Sequence, residues 1–434
     1  MNASNLSSVG ASADRKDVII VGGGLIGLFS AYYFARDGRK VTIIEKRRVG
    51  SGAARGNAGM IMAGGSVPLP APGVVGEGLR LMLKPTSAFF VKPSKLASMG
   101  EFLATFALHS NSKAFDRSAA KLDLLNRETR QLFKELQADG VGTELRDTPY
   151  VHAYSHRESA EAAHKVSTAI ANRGLVPQPG PILDRRELVA LEPAVGDEVT
   201  CGYQVPGELS ADPSRMVDEL IAKVTELGVE FIDDAAVDSI DEHGDHVTVH
   251  AGARSWDASQ VLVAAGAWSA PLLKQLGLRS LLKPAKGYSF TVKVKTDPAG
   301  LTLFGDAHVA ALPMRPGLVR IAGTLEFDED TNSHNDLRVK AIVDAAKGTL
   351  KDADWNSLQD VWSAPRPMTP DGLPHIGRAP GRNRTFVCVG HNMLGLSLGP
   401  SSAVAITDIM QGRGNPQIEK AFAPNRFRLL RLKR

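Results

Sequence analysis

The run from Val18 to Glu45 constrains this chain more than any other stretch. Val18-Ile19-Ile20-Val21 has strand character, and Gly22, Gly24 and Gly27 follow it in a Gly-x-Gly-x-x-Gly pattern. An apolar helical stretch then continues to Ala35, and a second strand, Val41-Thr42-Ile43-Ile44, ends at Glu45. Strand, glycine turn, helix, strand and acid in this order predict half of a dinucleotide-binding unit. The first glycine permits the tight turn, the second lets the backbone approach a pyrophosphate, and the third lets helix pack on strand. The helix N-terminus then faces the phosphate charge. Glu45 is expected to hold a ribose hydroxyl, and an acid there disfavours a 2′-phosphate, so NADP is the least suitable occupant. The uncharged stretch from Val18 to Ala35 imitates a membrane span or signal peptide in length, but the glycines break it just after the strand, and both readings are rejected.

The 434 residues, 43% hydrophobic and 23% charged, suffice for a globular core, and at roughly 150 residues per domain they suggest two units. Cys201 and Cys388 are the only cysteines, which excludes a disulfide scaffold and a Cys-rich metal centre and fits a reducing compartment. No metal site is expected. A formal charge of +4 is too small to argue for nucleic acid, though it leaves room for a small anionic ligand. Residues 1–16 are small and polar and read as a mobile tail.

Arg47 to Gly65 is too rich in Gly and Ala to be the next βα repeat of a nicotinamide dehydrogenase. Neither a second Gly-x-Gly-x-x-Gly nor a Cys-x-x-Cys is present, which argues against reductases that relay electrons from NAD through a disulfide. The substrate itself must then reduce the cofactor. Further on, Phe115 to Ala138 reads as a helix whose Leu122, Leu125, Leu132, Phe133 and Leu136 share a packing face. Asp212-Pro213 opens another helix, ending at Gly228 before the strand Val229 to Ile232. Val247 to Val249 is expected to pair with the apolar run Val261 to Trp268, and Lys283 to Phe327 alternates strand and turn as an antiparallel sheet does.

Near the C-terminus, Arg366-Pro-Met-Thr-Pro-Asp-Gly-Leu-Pro-His-Ile-Gly377 leads into a strand, Thr385 to Val389, then Gly390-His391-Asn392-Met393-Leu394-Gly395-Leu396 and a helix from about Pro400 to Met410. With GGGLIG and Glu45, RGNAGMI and SVPLPAPGV, VLVAAGAWS, PAKGYS, PMRPGLVRIAGTLEF, RPMTPDGLPHIG and GHNMLGLSLGP in one order, the chain resembles the D-amino-acid oxidase and glycine oxidase superfamily of FAD-dependent oxidoreductases, most closely its bacterial D-amino-acid dehydrogenase branch. The likeness spans about Asp17 to Phe427, with one departure: the branch often has Thr-Ser where this chain has Ala53-Ala54. It implies a mixed α/β and α+β fold. A Rossmann-like FAD-binding domain (17–95, 155–275 and 363–434) would interleave with an antiparallel-sheet substrate domain (96–154 and 276–362).

The activity implied by the resemblance is oxidative deamination of D-amino acids or secondary amino acids by hydride transfer from Cα to flavin N5, with electrons passed to a quinone, O₂ or another acceptor. Hydroxyproline or opine dehydrogenase subunits and glycine or sarcosine oxidases are the alternatives, and a transfer-RNA-modifying flavin enzyme is the distant one. Cofactor contacts are implied at Gly22, Gly24, Leu25, Ile26, Gly27, Glu45 and Lys46, at Asn57, Ala58, Gly59 and Met60, and at Val237, Ala265, Gly266 and Trp268. They are implied also at Arg366, Gly390, His391 and Leu394 to Leu398 (Gly395, Leu396, Ser397), where backbone N–H groups would meet the flavin edge. Two arginines compete for the substrate carboxylate, because the planar guanidinium makes paired charge-assisted bonds. Arg315 is the expected anchor, and Arg366 is expected to hold the flavin-side wall. Tyr288 is a candidate hydroxyl toward substrate, Lys286 reads as solvated or paired, and Cys388 as buried packing rather than a covalent flavin attachment. The basic terminus, with Arg426, Arg428, Arg431, Lys433 and Arg434, reads as a frayed tail that would rest on an anionic membrane only as a second choice. A cytoplasmic location, with peripheral contact on the inner membrane face as the second choice, follows from this reading.

Overall fold

The computed structural model describes residues 16–73, 76, 84–328, 330 and 334–427. In its first sheet the strand order is β10 (Ser239–Glu242), β11 (Val247–Ala251), β12 (Arg254–Val263), β1 (Lys16–Val21), β2 (Val41–Ile44) and β9 (Glu230–Ile232). β19 (Thr385–Val389) also pairs with β12 and carries β18 (His375–Arg378). The centre is parallel, β9-β2-β1-β12-β19, and β10 and β11 are antiparallel additions. Parallel strands are covered on both faces, which is why β1, β2 and β19 are nearly continuous apolar runs. Val18 and Ile20 of β1 face one core, with helices α1 (Leu25–Arg36), α3 (Ser112–Ala138), α4 (Pro213–Glu226) and α6 (Gly399–Met410); Ile19 and Val21 face the other. Asp212 caps α4 by accepting from the Ser214 and Arg215 amides.

The register corrects one expectation. Val247 pairs with Ala258 and Val249 with Trp256, so β11 meets the half-polar start of β12. Val261 to Val263 instead lie between β1 and β19, and residues 266–268 form a single 3-10 turn. A run with no polar alternation suits a position buried on both faces, not a hairpin with one wet side.

The second sheet has the order β17 (Gln359–Met368), β13 (Lys283–Lys293), β16 (Leu318–Phe327), β15 (Val309–Arg315), β14 (Thr302–Phe304), β5 (Tyr150–Tyr154), β7 (Cys201–Val205) and β6 (Leu183–Asp184), with β4 (Phe89–Val91) beside β16. Its pairs are antiparallel except β14 with β5 and β16 with β4. One face, including Tyr288, Phe290, Ala311 and Ile321, packs on Ile342 and Val343 of α5 (Asp336–Ala346). A two-stranded ladder of β3 (Met60–Ile61) and β8 (Leu209–Ser210) stands apart from both sheets.

The chain crosses between the two sheets at points that differ from those read in the sequence. β4 and β7 join the second sheet although 17–95 and 155–275 were assigned to the first part, and β17 runs across the expected boundary at 362. Helix α3, assigned to the second part, buries Leu122, Leu125, Phe133 and Leu136 in the first core. At the termini, Lys16 already belongs to β1 rather than to a tail. Arg426 is not frayed either, because its guanidinium grips Asp371 through two bonds of 2.6 and 3.0 Å. Residues 1–15, Val74, and Arg428, Arg431, Lys433 and Arg434 lie outside the described residues.

Candidate functional site

A groove runs past the carboxyl ends of β1 and β2. It is lined by Gly22, Gly24, Leu25, Ile26, Glu45 and Lys46, and further along by Ala53, Ala54, Asn57, Val237, Ala265, Gly266, Trp268, Arg366, Gly390, His391, Gly395 and Leu396. The glycines divide the work. Gly22 has φ +111°, and a Cβ there would sit 2.7 Å from the Ala264 carbonyl oxygen, so only glycine makes this turn. Nothing lies within 4 Å of a Cβ placed on Gly24, which leaves its backbone open to a ligand. A methyl at Gly27 would collide with the Gly22 carbonyl; Gly27 does not line the groove and serves helix-on-strand packing. Glu45 is held in place from both sides, Oε2 accepting from the Gly23 amide at 2.8 Å and Oε1 from the Arg47 amide at 3.1 Å. Each carboxylate oxygen retains capacity for a second donor. Lys46 stacks its ammonium 3.8 Å from the Trp268 ring centroid, bridging two predicted contact residues.

His391 lies deep in the same groove. Its Nδ1 is buried without a hydrogen-bond partner among the described residues, and burial pulls the ring down to about 3, so it is neutral. A buried polar atom of this kind, the open Gly24 backbone and the fixed Glu45 carboxylate together fit a bound dinucleotide. Cys388 is buried 4.0 Å from His391 Nε2, and burial pushes its thiol up, which makes it an inert packing group.

A second cavity, of about 890 Å³, adjoins the groove and shares Asn57, Arg366, Met393 and Leu396 with it. Ala58, Met60, Leu394 and Ser397 line this second space, whereas Gly59 and Leu398 line neither. Gly59 has φ +65° and its amide turns back to Asn57 Oδ1 at 2.6 Å. Leu398 is the residue before α6, and its N–H is committed to the Leu394 carbonyl at 2.8 Å. A donor already bonded in this way is a poor partner for a flavin edge, which corrects the expectation for that amide.

The two arginines separate clearly. Arg366 stands at the junction of the cavities, its side chain lying across β13 where Gly287 has no Cβ to obstruct it. Its Nη1 donates to the Thr324 carbonyl at 3.1 Å. Among the described residues no carboxylate comes within ion-pair distance of Arg366, and burial pulls its pKa down to about 10, still charged at neutral pH. Arg315, the expected anchor, is exposed at the end of β15 and lines neither cavity. Arg315 is the last residue of β15, beyond a register shift that follows Pro313, and its side chain is turned to solvent. Tyr288 fails for a related reason. Its neighbour Ser289 faces the first sheet and bonds the Gly56 carbonyl at 2.6 Å, while Tyr288 points to the α5 side and donates to Glu326. With a side-chain period of two, one residue decides the face. Lys286 is buried 3.5 Å from Asp328 and 3.7 Å from Glu326, hence paired.

The sequence reading missed Thr324, His152 and Tyr154, all lining the second cavity. Thr324 has φ +59°, a conformation a β-branched residue rarely adopts, and the twist directs its carbonyl to Arg366. Its hydroxyl is buried without a partner among the described residues. No sequence signal marks such a threonine, since Thr is an ordinary strand residue. His152 and Tyr154 do carry one, the alternation in Tyr150-Val-His-Ala-Tyr154, which places both on one face. Burial pulls His152 down to about 4.

Comparison with known proteins bears on this geometry. A family model described as DAO, FAD dependent oxidoreductase, matches residues 17–409. The D-amino acid dehydrogenase of Granulibacter bethesdensis is 26% identical over 413 residues, covering 93% of this chain and 97% of that protein. The D-amino acid dehydrogenase of Rhizobium rhizogenes is 28% identical over 407 residues, covering 91% and 96%. Among solved structures, glycine oxidase from Geobacillus kaustophilus superposes with a TM-score of 0.73 at 22% identity, over 95% of this chain and 99% of that one. L-proline dehydrogenase from P. horikoshii gives 0.68 at 17% identity, over 95% and 98%. At these identities the two structures speak for the fold. Among the described residues no helix is long and apolar enough to cross a membrane.

Proposed function

Since the chain belongs to the DAO family of FAD-dependent oxidoreductases, we propose that it oxidatively deaminates D-amino acids or secondary amino acids, with Arg366 holding the substrate carboxylate in the second cavity. When bound, FAD supplies the two-electron acceptor for the hydride that leaves the substrate Cα. The first sheet and its groove are the cofactor part in this reading, and the second sheet walls the substrate chamber. Gly22, Gly24 and Glu45 hold the ADP half. The amides of Gly395, Leu396 and Ser397, with the N-terminal end of α6 just beyond them, supply positive potential where negative charge gathers on the cofactor ring.

The observation that carries the proposal is the half-buried guanidinium at the junction of the two cavities, with no carboxylate within ion-pair distance among the described residues. A desolvated cation without a counter-ion is costly, and a substrate carboxylate relieves it with paired charge-assisted bonds. No Asp or Glu lines the second cavity among the described residues, so nothing there pins the amine as an ammonium, and oxidation requires the neutral amine. The D-configuration is supported by what the full-length relatives are called, and a quinone or O₂ remains the proposed acceptor.

Benzoate binding to the yellow holoprotein, followed through the flavin spectrum, tests the anchor. Arg366→Lys keeps the charge but loses the fork, so benzoate should bind roughly ten- to a hundredfold more weakly, the equivalent of one bond of about 1.5–3 kcal/mol. Arg315→Lys should bind it as the parent does. Unchanged benzoate binding in Arg366→Lys, with loss in Arg315→Lys, would return the anchor to Arg315.

A further inference from the structure

We infer that the second cavity selects substrates with a large, flat, apolar side chain and that Ala310 and Ala322 set the size limit, an inference that rests on Arg366 being the carboxylate anchor. The registers give the chamber its length. Thr324, bonded to Arg366, stands on β16; Ala322 faces Ala310 across β15, Val309 pairs with Phe304 of β14, and Phe304 with Ala153 of β5, next to His152. Three strand spacings of about 4.8 Å separate the Arg366 end from the His152 end, roughly 14 Å in all. Glycine or alanine anchored at Arg366 would leave most of that span empty.

The cavity measures about 890 Å³ in all; the end lined by Leu394, Leu396 and Ser397 belongs to the cofactor ring in the proposed function, and the remainder, out to His152 and Tyr154, is left for the substrate. Room exists because the floor is made of methyl groups: Ala322 and Ala310 lie directly opposite each other on the face turned from α5. Helix α2 (Leu96–His109) contributes Phe106 to the wall. Arg366 is the only Lys, Arg, Asp or Glu among the described lining residues, and burial keeps His152 neutral at the far end. With Arg366 engaged by the α-carboxylate, an acidic or basic side chain would sit in the chamber unpaired, which the low-dielectric wall penalises. An aromatic side chain instead gains the apolar burial.

The test uses the holoenzyme and a panel of D-alanine, D-phenylalanine, D-tryptophan, D-glutamate and D-lysine. D-phenylalanine or D-tryptophan should exceed D-alanine in kcat/KM by roughly ten- to a hundredfold, the scale of burying one such side chain. D-glutamate and D-lysine should fall below D-alanine. In Ala310→Leu the ratio of D-phenylalanine to D-alanine kcat/KM should drop at least about tenfold, read on protein whose flavin content matches the parent. Ala310→Val, with a smaller addition, gives the same direction should the leucine variant not retain flavin. D-alanine matching or exceeding D-phenylalanine in the parent would overturn this inference and leave the proposed activity standing. Flavin reduced by no amino acid would overturn both.

Discussion

Glu45 shows how the place of a single side chain follows from its neighbours. Its position after Ile44 follows from the length of the strand, turn, helix and strand before it, and the Gly23 and Arg47 amides then fix the carboxylate. Glu45→Ala removes the acceptor for the ribose and should weaken FAD retention roughly ten- to a hundredfold, one charge-assisted bond of about 1.5–3 kcal/mol. Fluorescence titration of the apoprotein with FAD measures it, and unchanged affinity would remove Glu45 from the cofactor site. Arg315 and Tyr288 show the opposite case. Motif matching finds the right strands, but the exposed end of one and a one-residue difference of face on the other put both side chains outside the cavity. Neither leaves a mark in the residue types, because where a strand ends and which face it buries are set by its partners.

At the scale of elements, the β18–β19 hairpin and the terminal turn behave as one unit. Arg426 bonds Asp371 bidentately and donates to His375 Nδ1 at 2.9 Å, and His375 Nε2 reaches the Ser280 carbonyl at 3.2 Å. Burial, reinforced by the Arg426 charge, pulls His375 down to about 3. The unfolded chain takes up a proton below about 6.5 and the folded one does not, so stability falls as pH drops, by about 1.4 kcal/mol per unit or about 2 kcal/mol between pH 6.5 and 5. Burial pushes the Asp371 carboxyl upward, but Arg426 outweighs it and holds the group below the usual carboxylate range, so its contribution is lost only at lower pH. Glu208 has the opposite sign. Burial raises it to about 7, and its contribution weakens as pH rises from about 4.5 to 7. The difference between parent and His375→Gln therefore isolates the histidine: the parent should lose more stability than the variant between pH 6.5 and 5 in denaturant titrations. Equal slopes would contradict a neutral, buried His375.

For the whole molecule, the order of elements was legible because periodicity and turn residues are local, as the strands at Val41–Ile44 and Thr385–Val389 illustrate. The partition between sheets was less so. Helix α3 shows its apolar stripe, yet nothing in Leu122 or Phe133 says which sheet will receive it, and β7 has the same five-residue strand character in either sheet. The turn that opens the groove was legible, since Gly22 and Gly27 admit no larger residue there. The second cavity, the proposed substrate chamber, was not, since segments spread from Asn57 to Ser397 contribute to its wall, and Ala310 and Ala322 are unremarkable until the register pairs them.

In the proposed function the groove and the second cavity, meeting at Asn57 and Arg366, form one site in which a D-amino acid reduces bound FAD. Anaerobic titration of the yellow holoprotein with paired D- and L-amino acids addresses it directly. The D-enantiomers should bleach the flavin absorbance to completion at one equivalent of electron pairs per FAD, and their L-counterparts should leave it unchanged. Bleaching by the L-enantiomers alone, or by no amino acid at all, would contradict the claim.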